Sequence, residues 1–422
     1  MTSSKLVSKN NIILFFFSIL PISFISGNAV LELNIFFIII FFLRELFFDK
    51  DYIGKILKNK FFYLLVSLWF YLIINALFGL NYEDSLRRSI FFFRYIFLIF
   101  AFVYFLRNEQ IRDKVINIYT LILLFISFDI FFEFIFGKNI LGFESPMKNE
   151  RIVSFFKDEL IVGSFLASFL FIIFGKFFNE DKKILSAILF TIFSVSILIT
   201  GERSISIKIL ISIFLIIFFV LESPKLKIYA ALFTILLISL IFTNNNLNMR
   251  YKNFLTHFEK NFKKEDIYGS ILETKYLNQS LFSYELLKNN YLLGVGTKNY
   301  SSACRNLKNT SKKTVIQKNA IHCYTHPHQF YYEFVSEHGI IGSIIILSIL
   351  ISLFLNKSYI FTKNDKRKLF IFKIYFIISM VPIFPTGSFF SSLQLFQFFL
   401  NYAIYLVYYE AKRSNYKKGE LK

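Results

Sequence analysis

The sequence predicts an all-α integral membrane protein with about twelve transmembrane helices and one large loop outside the membrane. Three observations predict it. Hydrophobic residues make up 55% of the 422 residues and charged residues only 18%, with 60 phenylalanines, whereas a soluble domain keeps roughly a quarter of its residues charged. Apolar runs near the ~20 residues that cross a bilayer recur along the chain. Basic residues collect in alternate connections between those runs, as cytoplasmic loops require. That distribution assigns the net charge of +20 to the membrane surface rather than to nucleic acid. The composition excludes a disordered chain and a coiled coil, and two cysteines exclude a disulfide scaffold or a zinc cluster.

The runs cover 11–27, 29–48, 61–80, 88–106, 115–136, 160–178, 183–200, 205–221, 228–243, 331–355, 369–386 and 389–410. No small-residue cleavage site follows the first, which is therefore an anchor; Gly27-Asn28 turns the chain into the second. One set of connections holds Lys50, Lys55, Lys58 and Lys60, then Arg107, Arg112 and Lys114, then Lys182 and Lys183, then Lys225 and Lys227, then Lys357 to Lys368. The tail adds Lys412, Arg413, Lys417, Lys418 and Lys422. These alternate with the other connections, so the basic side is cytoplasmic and both termini lie there. The expected organisation is helices 1–9 in 1–243, a periplasmic loop at 244–330, helices 10–12 in 331–410 and a cytoplasmic tail at 411–422. The loop is too long and too polar for a passive connector. It holds a polar helical stretch from Ile271 to Lys288 and a Gly294-Val295-Gly296 turn.

Several charges fall inside or beside apolar runs. Arg94 and Asp129 lie at a similar depth, roughly 9 Å from the outer ends of adjacent spans at ~1.5 Å per residue, with Glu133 one turn shallower. A structural ion pair between Arg94 and Asp129 is expected, with an anion-lined cavity as the alternative. Lys373, near an inner helix end, snorkels. Arg203 stands in Thr200-Gly201-Glu202-Arg203-Ser204 with Lys208 one turn further. A Gly turn opening a helix can receive an anion on its N–H groups and a guanidinium fork; the alternative is an arginine held by lipid headgroups.

Four of the five histidines, His322, His326, His328 and His338, lie within seventeen residues. Three His and Cys323 could bind zinc, but Pro327 keeps the chain extended and no carboxylate cluster supports the site. The catalytic alternative is a histidine that takes a proton from a hydroxyl at the membrane surface. His328 leads directly into the apolar run, where lipid-borne and water-borne groups meet. Cys304 and Cys323 both fall in the long outer loop, and a disulfide between them is expected in an oxidising compartment; two free, buried thiols are the alternative.

His328-Gln329, Tyr332, Glu337 and Gly339-Ile340-Ile341-Gly342 resemble the His-led motif of the O-antigen ligase and polymerase superfamily. Leu293 to Tyr300, with Gly294 and Gly296, resembles the family's GxG segment. Thr200 to Ser204 is similar to its Arg-bearing outer turn, Arg151 to Leu166 with Asp158, Glu159 and Gly163 to the start of a middle span, and Pro385 to Phe390 to a late Pro-Gly turn. Gln329 departs mildly from the Asn or similar residue usual after the motif histidine. The resemblance covers roughly residues 60–410. It implies a lipid-carrier-dependent membrane glycosyltransferase needing no metal and no cofactor. The donor would be a glycan on undecaprenyl diphosphate and the acceptor lipid A–core, as in a ligase, or a carrier-linked repeat unit, as in a polymerase. The site would face the periplasm from the inner membrane of a Gram-negative bacterium, among membrane lipids. In that scheme Arg203 binds the diphosphate, Arg250 and Arg305 are weaker candidates, His328 is the general base with His326 next, and Lys208 and Glu337 support them. A lipid-linked sugar flippase is a further alternative, although inverted repeats and broken helices would then be expected. A non-enzymatic scaffold leaves Arg94, Arg203 and Lys208 unexplained.

Overall fold

The computed structural model describes residues 3–147, 150–243, 275–308, 323–352, 361–382 and 384–420, with a few isolated positions between them. Among these the chain is helical, without a strand. The helices are α1 (Ser3–Ser18), α2 (Leu20–Ile25), α3 (Asn28–Phe48), α4 (Lys50–Leu57), α5 (Lys60–Leu77), α6 (Tyr82–Phe91), α7 (Phe93–Leu106), α8 (Glu109–Phe136), α9 (Val162–Phe177), α10 (Lys183–Ile199), α11 (Arg203–Phe219), α12 (Pro224–Thr243), α13 (Lys275–Asn289), α14 (Tyr300–Lys308), α15 (Phe330–Ser352), α16 (Lys363–Ser379) and α17 (Ser392–Glu420).

Each of the twelve apolar runs is helical over most of its length. By length and composition, five helical segments are long and apolar enough to cross a membrane: Lys60–Leu77, Tyr82–Leu106, Glu109–Phe136, Pro224–Thr243 and Phe330–Ser352. Helix α9 is the centre of the bundle, with almost every side chain buried, from Val162 to Phe177. A helix apolar all round belongs in such a position. Its phenylalanines interlock with neighbours, Phe165 with Phe24 and Phe156, and Phe169 with Tyr119.

The connections gather at two ends. At one end Arg107 bonds Asp49, Lys176 bonds the Asp113 carbonyl, Lys368 bonds Asn179, Lys363 and Arg367 meet Glu222, and Lys412 meets Asp365. At the other end the turns around 80, 140–160, 200–204, 291–300, 323–329 and 380–391 knit together.

Two expectations are corrected here. Helix α16 stops at Ser379 rather than running to 386. Pro382 and Pro385 lack the N–H groups a helix needs, so 380–391 becomes an irregular wall instead of a minimal turn. Arg94 does not pair with Asp129. Its Nε and Nη2 donate to the two oxygens of Glu32 on α3, at 2.9 and 2.8 Å. Asp129 is fully buried and instead accepts from the Ile140 N–H and the Ser154 hydroxyl. Glu133 accepts from the Val153 and Ser154 N–H groups. Both acids on α8 therefore organise the following loop, while Glu32, in the second apolar run, supplies the counter-charge.

Candidate active site

Helix α15 carries the centre of the site. Its first turn is capped by Gln329, whose side-chain carbonyl accepts from the Tyr331 and Tyr332 N–H groups and whose amide donates to the Pro382 carbonyl. Glutamine is long enough to cap the helix and still reach the proline-flanked wall. His328 precedes it with φ of 53°, a conformation non-glycine residues seldom adopt and one that concentrates at functional sites. The His328 carbonyl accepts from the Thr386 N–H at 2.8 Å. Its half-buried ring lies against the rings of His326 and Tyr324, with centroids 4.2 and 5.4 Å away.

His326 Nδ1 is 3.0 Å from the Thr325 hydroxyl, and its buried Nε2 has no hydrogen-bond partner among the described residues. Burial, with the nearby Lys298 charge, pushes this imidazole down to about 4. It is therefore neutral near pH 7. Cys304 and Cys323 are bridged, with Cα atoms 5.5 Å apart. The bridge packs with Phe282, Leu286, Val295, Tyr300 and Ala303, which ties the start of the histidine segment to α14.

Helix α15 bends at Gly339, which has φ of 60°. A Cβ there would lie 2.4 Å from the Leu292 carbonyl oxygen, so only glycine admits the close pass. The bend frees backbone groups that the segment 291–297 uses. Ile340 N–H donates to the Tyr291 carbonyl, and Val295 and Gly296 N–H groups donate to the Ser336 and Glu337 carbonyls. Asn75 of α5 closes the seam. Its amide donates to the Leu293 and Glu337 carbonyls and its carbonyl accepts from the Thr297 N–H. Tyr71 donates to the His338 carbonyl.

Two fully buried carboxylates, Glu333 and Glu337, sit one turn apart on α15. Glu337 accepts from the Lys298 and Tyr300 N–H groups at 2.7 and 3.3 Å. Glu333 accepts from the Ser388 hydroxyl and the Phe389 N–H. Lys298 Nζ contacts Ser388 and lies 3.5 Å from Glu333. Glu337 thus acts through backbone geometry.

Beside this cluster a cavity of about 480 Å³ is lined by Arg151, Arg203, Ser204 and Lys208 on one side and by Tyr375, Thr386, Gly387 and Gln394 on the other. Gly201 has φ of 70°, and a Cβ there would strike the Glu150 carbonyl oxygen. Glu202, buried, accepts from the Gly163 and Ser164 N–H groups and the Ser164 hydroxyl, and lies 3.8 Å from Arg151. Burial pushes its carboxyl up, while Arg151 and these donors oppose that shift. Ser204 donates to the Pro385 carbonyl. The turn therefore fixes where α11 starts, and Arg203 and Lys208 of that helix both line the cavity. Lys208 is buried and has no ion-pair partner among the described residues.

The structure brings His328, His326, Glu337, Arg203 and Lys208 to one end. Arg305 lies exposed on α14 and lines neither this cavity nor a second one of about 670 Å³. Arg250 and His322 lie outside the described residues. Among the described residues no three His, Cys, Asp or Glu side chains form a metal-sized group. Lys298, Glu333, Ser388, Arg151 and Glu202 were given no role by sequence reasoning. All but Glu333 stand inside segments whose pattern was already conspicuous. Asn75 and Tyr71 were missed as well; a lone Asn inside Leu72-Ile73-Ile74-Asn75-Ala76 was the available signal.

Comparison with curated proteins found no match. A family model does match, and it spans residues 186–347, from α10 through the Arg203 turn to the bent helix that carries Glu333 and Glu337. The model is Wzy_C, described as O-antigen ligase, so residues 186–347 of the chain are similar to that family.

Proposed function

We propose that the protein transfers a glycan from an undecaprenyl-diphosphate carrier to a sugar hydroxyl, as an O-antigen ligase with lipid A–core as acceptor. The superfamily comprises glycosyltransferase-like ligases and polymerases acting on lipid-linked glycans in membranes. The observation that carries the proposal is the pair of cations, Arg203 and Lys208, in a cavity whose far wall, at Thr386, hydrogen-bonds the His328 backbone. A leaving diphosphate held there would then lie beside the wall to which the histidine segment is hydrogen-bonded.

In this reaction the acceptor oxygen bonds the anomeric carbon as the bond from that carbon to the diphosphate oxygen breaks. The electron pair departs on the diphosphate, where Arg203 offers a fork of two N–H donors and Lys208 a point charge. The hydroxyl proton passes to the His328 imidazole. Arg151 and Glu202 position the turn that aims Arg203. The reaction occurs at the periplasmic face of the inner membrane, with the basic end of the bundle in the cytoplasm. The test is the lipopolysaccharide of the native host after loss of the gene. Rough lipopolysaccharide with long glycan retained on the carrier supports a ligase. A single repeat unit attached to lipid A–core identifies a polymerase. Unchanged lipopolysaccharide overturns both.

A further inference from the structure

The second cavity, of about 670 Å³, lies across the turn 386–392 from the first. Thr386 and Gly387 line one cavity, Phe390 to Ser392 the other. Its polar side holds Arg87, Arg88, Arg94 and Lys298 against Glu32 and Asp84. Most of these charges are already matched. Arg94 and Glu32 form their two-bond pair, Lys298 faces Glu333 and Ser388, and Asp84 accepts from Asn81. Arg87 and Arg88 remain. Both are exposed, and neither has a hydrogen-bond or ion-pair partner among the described residues. They stand at the histidine end of the bundle, away from the end where the basic connections collect, so the topology rule does not call for them there. The opposite side of the cavity is apolar, with Ile35, Ile39, Leu72 and Leu395.

Two neighbouring guanidinium groups with no ion-pair partner among the described residues, above an apolar wall, fit an amphiphile with a phosphate headgroup and a hydrocarbon tail. We propose that this cavity is a second lipid site, which holds the phosphate of the membrane-borne acceptor while Arg203 and Lys208 hold that of the donor. The inference rests on the glycan-transfer reading of the first cavity. Its geometric support is the segment between the two. Lys298 lines the second cavity and contacts Ser388 and Glu333 across the turn, while Thr386 lines the first and bonds His328. An acceptor sugar anchored at Arg87 and Arg88 would then reach the histidines from the side opposite the donor.

The test uses the full-length protein in detergent, with undecaprenyl diphosphate and bisphosphorylated lipid A as separate binding probes. Four proteins are compared: wild type, R87Q/R88Q, R87K/R88K and R203Q. The wild type is expected to bind two anionic lipids per chain. The R87Q/R88Q change should weaken one of them by about tenfold or more, the ratio expected for loss of charge-assisted phosphate contacts, and leave the other unchanged. The R87K/R88K protein should fall between, because it keeps the charge and loses the forks. It also serves as the readout if the glutamine variant does not fold. If the weakened probe is lipid A, the acceptor is lipid A–core; if it is a second undecaprenyl diphosphate, the acceptor is carrier-linked. Wild-type affinity for both probes in both Arg87/Arg88 variants, or a wild type that binds only one lipid, overturns the proposal. Unchanged binding by R203Q would instead overturn the donor assignment and leave the second site standing on its own result.

Discussion

Lys298 and Glu333 meet 3.5 Å apart and join two turns that are distant in sequence. Lys298 belongs to the turn after Gly296, and Glu333 holds Ser388 and Phe389 of the proline-flanked wall. One cation therefore links the second cavity, which it lines, to the helix that follows the histidine segment. A buried carboxylate left without its cation is costly, about 3–5 kcal/mol for a broken buried pair. K298M should lower the melting temperature of the detergent-solubilised protein, and K298M/E333Q should recover much of the loss. Equal melting of K298M and wild type would remove Lys298 from this role.

His328→Ala should reduce glycan transfer by roughly 10²- to 10⁴-fold, the range for loss of a general base, while the protein still inserts and melts normally. Transfer by purified protein from an undecaprenyl-diphosphate-linked donor is the measurement. Full activity of the variant would shift the assignment to His326, whose Nε2 is buried beside it.

Arg203→Lys should be impaired by about tenfold or more, because lysine keeps the charge and loses the bidentate fork that phosphate favours. The same transfer assay with donor in excess reads it. Near wild-type transfer would reduce Arg203 to a headgroup anchor.

The neutral His326 gives a pH dependence of stability with a defined sign. Its folded value is about 4 against an ordinary 6.5. Between those values the unfolded chain binds a proton that the folded chain does not, so stability rises with pH through this window. The contribution is complete above about 6.5 and fades as pH falls towards 4. Melting temperatures from pH 8 down to 4.5 should decline more steeply for wild type than for His326→Asn. Parallel curves would mean that His326 titrates normally.

The Cys304–Cys323 bridge closes a separation of 19 residues, for which the chain-entropy relation gives about 3 kcal/mol. Purified protein under non-reducing conditions should show no free thiols. Reduction should lower the melting temperature and loosen the histidine segment to proteolysis. Two free thiols in the unreduced protein would exclude the bridge.

The helices were legible because apolar length and flanking charge act along the chain, and each run is helical over most of its length, although 11–27 and 88–106 are each divided between two helices. The end of α16 was legible only in hindsight, since the apolar run continues past Ser379 through Phe384 while Pro382 and Pro385 end the helix. The histidine segment and the Arg203 turn were legible because histidine and arginine are conspicuous against so apolar a background. Partnership was not. Arg94 was matched to Asp129 by depth on adjacent spans, yet Glu32 sits 62 residues earlier, and depth alone does not say which of two acids a helix faces. Glu333 and Lys298 escaped notice because their roles arise from turns brought together only in three dimensions.

The hydrogen bonds of Asn75 carry a consequence for how the protein is made. Its partners at Leu293 and Glu337 lie 218 and 262 residues downstream. While the chain is being synthesised, α5 must wait in the bilayer with an amide that nothing yet satisfies, a burden of about 1–3 kcal/mol on a buried polar group. The helix is therefore completed long after it is inserted. Chains that stop before Glu337 should be culled by membrane quality control, and those that reach the end of α15 should be spared.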